Sequence, residues 1–136
     1  MNALFLDTGY LIALEAADDQ HHREALKHWK IWSESLPLLV TTSYVFDEVV
    51  TFFNSRKRHA KAVELGNLLL ESPSVQMVHI DQALFKKAWG HFVKHKDKSY
   101  SLTDCASFLV MKQFRIRKAL TFDKHFIQAG FEKMPQ

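Results

Sequence analysis

The chain's 136 residues suffice for one domain and are too few for two independent cores. With 47% hydrophobic and 24% charged residues the composition is that of a globular chain, which excludes disorder and low complexity. The single cysteine, Cys105, excludes disulfide scaffolds and four-cysteine zinc sites, while a net charge of +3 permits a polyanionic partner without demanding one.

In chain order, Ala3–Leu6 is a short apolar run ending at Asp7, and Thr8–Ala17 follows with helical periodicity. A polar helix is expected from about Asp19 to Ser33, then a second apolar run at Leu38–Thr42. Ser43–Asn54 and Lys57–Leu70 read as helices, Val75–Ile80 as a partly alternating strand, and Gln82–Val93 and Leu102–Phe114 as further helices. Ala119–Phe122 is a fourth strand, a short helix follows Asp123, and Phe131–Met134 suits an edge strand. Strands alternating with helices predict an α/β fold: a three-layer α/β/α sandwich with a mostly parallel central sheet of about five strands, reached by right-handed crossovers. The expected organisation is a single domain over residues 1–136. The longest uncharged stretch, Ser35 to Phe46, contains Pro37 and falls short of the ~20 residues that span a membrane. The apolar N-terminus carries Asp7 and no basic leader, unlike a signal peptide, so the expected location is the cytoplasm.

In open parallel sheets ligands bind beyond the carboxyl ends of the strands, which directs attention to acids at those ends. Asp7 follows the first strand and opens a helix, where it could cap that helix or serve a ligand. Glu48 flanks the apolar stripe of Val45, Val49, Phe52 and Phe53, with Asp47 on the opposite side; a carboxylate at the margin of a buried stripe is costly unless paired or coordinated. Asp104 completes Ser101-Leu102-Thr103-Asp104, a capping-box pattern, and Asp123 closes the run from Ala119. Each acid has a local explanation, but those explanations do not predict that three of them would follow apolar strands or open a helix on one edge. There they would repel one another unless a cation lay between them. Carboxylate ligand sets suit Mg2+ or Mn2+, and such an ion supports phosphodiester hydrolysis. The tripeptide Asp7-Thr8-Gly9 is also found in aspartic proteases, but those are all-β, and the long helical segments here argue against that fold.

The segments FLDTGYLIAL, TTSYVFDEVVTFF, SLTDCASFLVM and ALTFDKHF resemble, in order and spacing, the four motifs of PIN domains, and most closely those of VapC-type toxins of toxin–antitoxin pairs. The resemblance spans essentially the whole chain. It implies a Mg2+-dependent endoribonuclease (Mn2+ as an alternative ion), with Asp7, Glu48, Asp104 and Asp123 as its acidic quartet. Asp7 and Asp104 would bind the metal directly, while Glu48 and Asp123 would hold a second ion or act from the outer shell. Thr8, Ser101 and Thr103 match hydroxyl residues that accompany the quartet. The resemblance further implies an RNA substrate, a cognate antitoxin and a homodimer. Two other roles keep the fold: an RNA-processing or decay nuclease without an antitoxin, and a non-catalytic RNA-binding module.

Setting the quartet aside leaves eighteen basic residues against eleven acids, a remainder of +7 suited to RNA. Arg56, Lys57, Arg58 and Lys61 form the densest basic run, a candidate grip on RNA phosphates near the site or a solvated helix start. Lys94, Lys96 and Lys98 form a second stretch, and Lys112, Arg115, Arg117 and Lys118 a third. His91 and His95 have zinc-compatible i, i+4 spacing but no third ligand, and His125, two residues after Asp123, could reach the site, though chance placement on its helix face is the safer reading. Trp29 and Trp32 suit an interface or core packing equally.

Overall fold

The computed structural model describes residues 3–35 and 37–136, so the expected domain start at residue 1 lies outside the described residues. Five parallel strands form one sheet: β1 (Ala3–Leu6), β2 (Leu38–Thr42), β3 (Val75–Val78), β4 (Lys118–Leu120) and β5 (Glu132–Met134), in the order β3-β2-β1-β4-β5. The two strands at the centre, β1 and β2, are almost wholly buried, which is why they read as unbroken apolar runs rather than alternating ones. The chain steps from β1 outward to β2 and β3, then returns to β4 on the other side of β1. The strand order therefore reverses beside β1. The helices that connect these parallel strands cover the sheet, in keeping with the three-layer expectation.

The helices are α1 (Thr8–Glu15), α2 (His22–Trp32), α3 (Ser43–Ser55), α4 (His59–Glu71), α5 (Gln82–Lys94), α6 (Leu102–Gln113) and α7 (His125–Gln128), with a 3-10 turn at Ser33–Ser35. Their boundaries differ from the expected ones for local reasons. The Asp19 carboxylate accepts the His21 amide, so residues 19–21 form a turn and α2 starts at His22 rather than Asp19. Lys57 adopts a left-handed backbone (φ 60°), which separates α3 from α4 and moves the latter's start to His59. The final strand residues also shift: β4 stops at Leu120, so Thr121 and Phe122 lie beyond it.

The helix α6 has buried side chains all around it, from Asp104 through Met111, and is the most enclosed helix of the domain. Phe108 on α6 packs edge-on against Phe126 of α7 at 5.0 Å, and Phe126 in turn lies 6.2 Å from Phe5 of β1. This aromatic column fixes α6 and α7 to the central strand. Trp29 packs against the core, which settles its part of the tryptophan question in favour of packing.

At the start of α3, the buried Thr42 hydroxyl accepts the Val45 amide at 3.2 Å. Thr42→Ala removes that cap and should cost about 1 kcal/mol, a fall of about 3–4 °C in Tm for a domain of this size. A thermal melt of the variant checks this, and an unchanged Tm would mean that the cap contributes nothing.

Candidate functional site

The reversal of strand order leaves the carboxyl ends of β1 and β4 adjacent, and three acids meet there. Asp7 is the first residue past β1, and its amide donates to Leu120 O at 3.0 Å, which continues the pairing with β4. It occupies the N-cap position of α1 without making a side-chain cap. Instead its Oδ2 accepts the Thr121 hydroxyl at 2.7 Å, deep in the protein. The same Thr121 oxygen accepts the Asp123 amide at 3.0 Å. One fully buried hydroxyl thus ties the first acid to the loop that carries the last.

Asp104 arrives from α6, whose N-terminus opens at this edge. The capping box expected from the sequence is present: Ser101 Oγ accepts the Asp104 amide at 2.9 Å, and Asp104 Oδ2 accepts the Ser101 amide at 3.1 Å. Capping and convergence prove compatible, because the cap occupies only one carboxylate oxygen. Asp123 is pinned by an analogous local bond, its Oδ1 accepting the His125 amide at 2.9 Å. The His125 ring then approaches both acids, with Nδ1 3.0 Å from Asp104 Oδ2 and 3.2 Å from Asp123 Oδ1. Asp104, Asp123 and His125 each place a ligand-type atom within 4.8 Å of the others.

Burial pushes the Asp7 carboxyl up to about 7, and the nearby charges of Asp104 and Asp123 act in the same direction against the Thr121 hydrogen bond. Asp104 is also raised, first by burial and then by Asp123, with the Ser101 amide and His125 opposing. These acids therefore destabilise one another's charged forms. Their donor atoms are hard oxygens, and among the described residues Asp104 Oδ1 and Asp123 Oδ2 make no hydrogen bond. Such a set fits a hard divalent cation, which would relieve the repulsion and use those oxygens. Neighbouring Cys105 is not a competing nucleophile, since burial and then Asp104 push its thiol up to about 11.

Glu48 differs from expectation. Its side chain is exposed on α3 rather than set at a desolvated margin. It joins the site through Thr8, whose hydroxyl donates to Glu48 Oε1 at 2.6 Å. Thr8 and Ser101 thus each hold an acid of the quartet, while the Thr103 hydroxyl takes part in no hydrogen bond among the described residues.

The basic runs are spread differently than expected. Lys61 pairs with Glu15 at 2.7 Å and Glu64 at 3.4 Å, so its charge is already committed. Arg56 lies over the Phe52 ring at 3.6 Å and Arg58 over Phe53 at 5.2 Å. They follow the last residue of α3, a helix that starts at the acidic edge and, at 13 residues, carries them about 20 Å along its axis. The third stretch surrounds the end of α6 and the start of β4, on the opposite edge of the sheet. Close in sequence to the acids stand Lys124, between Asp123 and His125, and Lys98, in the turn leading to Ser101.

The sequence reading missed Thr121, and it left His125 as a residue that could reach the site while favouring chance on its helix face. For Thr121 the available signal was a threonine just past an apolar strand, immediately before the acid. For His125 it was the two-residue spacing from Asp123, which alone does not distinguish a ring turned inward from one turned to solvent. His91 and His95 stack at 4.1 Å, with His95 Nδ1 2.9 Å from His91 O, and they belong to no metal-compatible group among the described residues.

Comparisons with known proteins show the family and the fold. Residues 4–132 match the family model described as "PIN domain". The chain is 34% identical over 128 residues to the 23S rRNA-specific endonuclease VapC20 of Mycobacterium tuberculosis, covering 94% of this chain and 95% of that protein. The crystal structure of the same mycobacterial protein, described as a sarcin-ricin loop cleaving toxin, superposes with a TM-score of 0.84. Two more distant structures share the fold. They are a toxin–antitoxin complex from Klebsiella pneumoniae (16% identity, 89% and 87% of the two chains, TM-score 0.62) and FitAcB from Neisseria gonorrhoeae (17%, 96% and 95%, 0.64).

Proposed function

The chain belongs to the PIN-domain family, and from that premise we propose that it is a divalent-metal-dependent endoribonuclease, the toxin of a toxin–antitoxin pair, that cuts 23S ribosomal RNA. The observation that carries the reading is the meeting of Asp7, Asp104 and Asp123 at the strand-order reversal, in a chain that aligns nearly end to end with a 23S rRNA-specific endonuclease. Mg2+ is the proposed ion, with Mn2+ able to replace it. When bound, the ion neutralises charge on the phosphate and lowers the pKa of a coordinated water. Asp7 and Asp104 hold it, and Asp123, within 4.8 Å of Asp104 in the same cluster, joins them as a ligand or supports a second ion. Glu48, at the exposed rim, orients water or acts from the outer shell. Thr121, Ser101 and Thr8 keep the carboxylates in place by binding one oxygen of each.

The cognate antitoxin and a homodimer belong to the same proposal, as does action in the cytoplasm. No described helix is long and apolar enough to cross a membrane. Apolar side chains available to protein partners stand exposed on α4 (Val63, Leu68, Leu70) and α5 (Phe85, Trp89, Phe92, Val93).

The test is incubation of the purified protein with 23S rRNA and with intact ribosomes, in Mg2+ and in EDTA. The expected result is a cut at a defined position that EDTA abolishes and either Mg2+ or Mn2+ restores. Cleavage that survives EDTA would overturn the metal reading; cleavage of other RNAs in preference to 23S rRNA would overturn the substrate. The RNA grip is testable separately. Because Lys124 follows Asp123 directly and Lys98 stands in the turn that leads to Ser101, reversing both to Glu should weaken RNA binding about tenfold at low salt and flatten its salt dependence by about two phosphate contacts. The same reversal at Arg56 and Arg58, about 20 Å from the start of α3, should have a smaller effect on RNA binding. Filter binding across a salt series compares the two.

A further inference from the structure

We propose that His125 is the positioning residue of the acidic cluster: its Nδ1–H bridges Asp104 and Asp123 and fixes which oxygen each carboxylate turns to the ion. The inference rests on the metal-dependent reading given above and adds to it a residue outside the acidic quartet.

The ring nitrogen is hydrogen-bonded to Asp104 Oδ2 at 3.0 Å and lies 3.2 Å from Asp123 Oδ1, within ion-pair reach of the second carboxylate. A bare nitrogen there would point its lone pair at two anions, so Nδ1 carries the proton and donates. Both oxygens that it reaches are already anchored by backbone amides, those of Ser101 and of His125 itself. The two acids therefore converge on one donor through one oxygen each. Their other oxygens, Asp104 Oδ1 and Asp123 Oδ2, make no hydrogen bond among the described residues and remain for the cation. A nitrogen engaged in this way has no lone pair to offer an ion between the carboxylates, which makes His125 a support for the ligands rather than a ligand.

The ring is itself held. Tyr100, a buried residue at the mouth of α6, presents its ring edge-on to the imidazole with centroids 5.3 Å apart. The next residue, Phe126, is fully buried against Phe108 and Phe5, so the backbone of α7 cannot drift. A bridge mounted on a fixed support sets the spacing of two acids that arrive from elements 19 residues apart in sequence, Asp104 and Asp123.

The experiment measures Mn2+ binding to the metal-free full-length protein by electron paramagnetic resonance, in wild type, His125→Ala, His125→Asn and Asp104→Asn, alongside steady-state cleavage. The Asn amide can place a donor near the position of Nδ1. His125→Ala should weaken Mn2+ binding at least about tenfold and lower kcat with KM little changed, whereas His125→Asn should recover affinity to within about threefold of wild type. Wild-type affinity in His125→Ala, or His125→Asn no better than His125→Ala, overturns the proposal. So does a nitrogen spin-echo coupling on bound Mn2+ that disappears in His125→Ala, because it would put the imidazole on the ion. Should the Ala variant fail to fold, the long-range proton–nitrogen spectrum of the wild-type ring decides: a protonated Nδ1 supports the bridge and a bare Nδ1 overturns it. Asp104→Asn separates the two readings. If it binds Mn2+ as tightly as wild type, the metal site itself is wrong; if it loses binding while His125→Ala does not, only the role of His125 fails.

Discussion

Asp7→Asn should abolish RNA cleavage, with kcat at least about 100-fold down, and should at the same time raise the melting temperature of the metal-free protein above wild type at pH 8. The first half follows from losing an anionic ligand. An ion that supplies several kcal/mol of transition-state stabilisation is displaced or weakened, and each ~1.4 kcal/mol is tenfold in rate. The second half follows from burial. The Asp7 carboxyl titrates near 7 because folding removes it from water beside Asp104 and Asp123, so at pH 8 the folded chain carries a charge it holds at a loss. Asparagine keeps the shape and still accepts the Thr121 hydroxyl that now donates to Oδ2 at 2.7 Å, but carries no charge. Activity lost and stability gained by one substitution is the signature of a group retained for chemistry. A cleavage assay paired with a thermal melt in EDTA reads both. Full activity in the variant would sink its role as a ligand, and a lower Tm would sink the account of its burial.

The fold was largely legible because its signals are local and repeated. Each central strand is an unbroken apolar run, each helix has its own periodicity, and their alternation fixes a parallel sheet. The order of strands follows from none of these, since it depends on which neighbours β4 finds after α6. Yet that order is what places Asp7 beside Thr121. The acids were legible as residues at strand ends; their environment was not. Glu48 was read as a carboxylate at the edge of a buried stripe, and a helical wheel could not show that the flank it occupies opens to solvent. Asp7 was allowed a capping role that its side chain does not take, because a buried hydroxyl 114 positions away competes for it. For His125 the choice between reaching the site and lying on its helix face by chance could not be made. Nothing in a helix pattern tells which way a ring turns when its helix is only four residues long. For the basic run after α3 only its order along the chain was legible: Arg56 lies eight residues past Glu48, about 12 Å along the helix axis, and about 20 Å from the end of α3 that opens at the acidic edge.

The stability of the metal-free protein should decline as pH rises from about 4 to about 7, and saturating Mg2+ should reverse that decline at the upper end. Unfolded, Asp7 titrates at its ordinary 3.8; folded, at about 7. Between those values the folded chain binds a proton that the unfolded chain does not, so protonation favours folding across that window. The contribution is fully present below the unfolded value and is lost as pH passes through the folded one. At ~1.4 kcal/mol per unit it reaches about 4 kcal/mol at most, and Asp104, raised by the same burial and by Asp123, acts in the same sense. Mg2+ binds the deprotonated acids of the folded state, so it adds nothing at pH 5 and adds about 2.7 kcal/mol at pH 8 when present at a hundredfold over its Kd. Other groups titrate in the same range, so the informative quantity is the difference between wild type and Asp7→Asn. Melts from pH 5 to 8.5, each in EDTA and in Mg2+, provide it. In EDTA the wild type should lose stability relative to the variant as pH rises, and Mg2+ should stabilise the wild type far more than the variant above pH 7. A constant difference in EDTA would mean that Asp7 is not buried as an unwilling anion. Equal stabilisation of both proteins by Mg2+ would mean that the ion binds somewhere other than the acids at the end of β1.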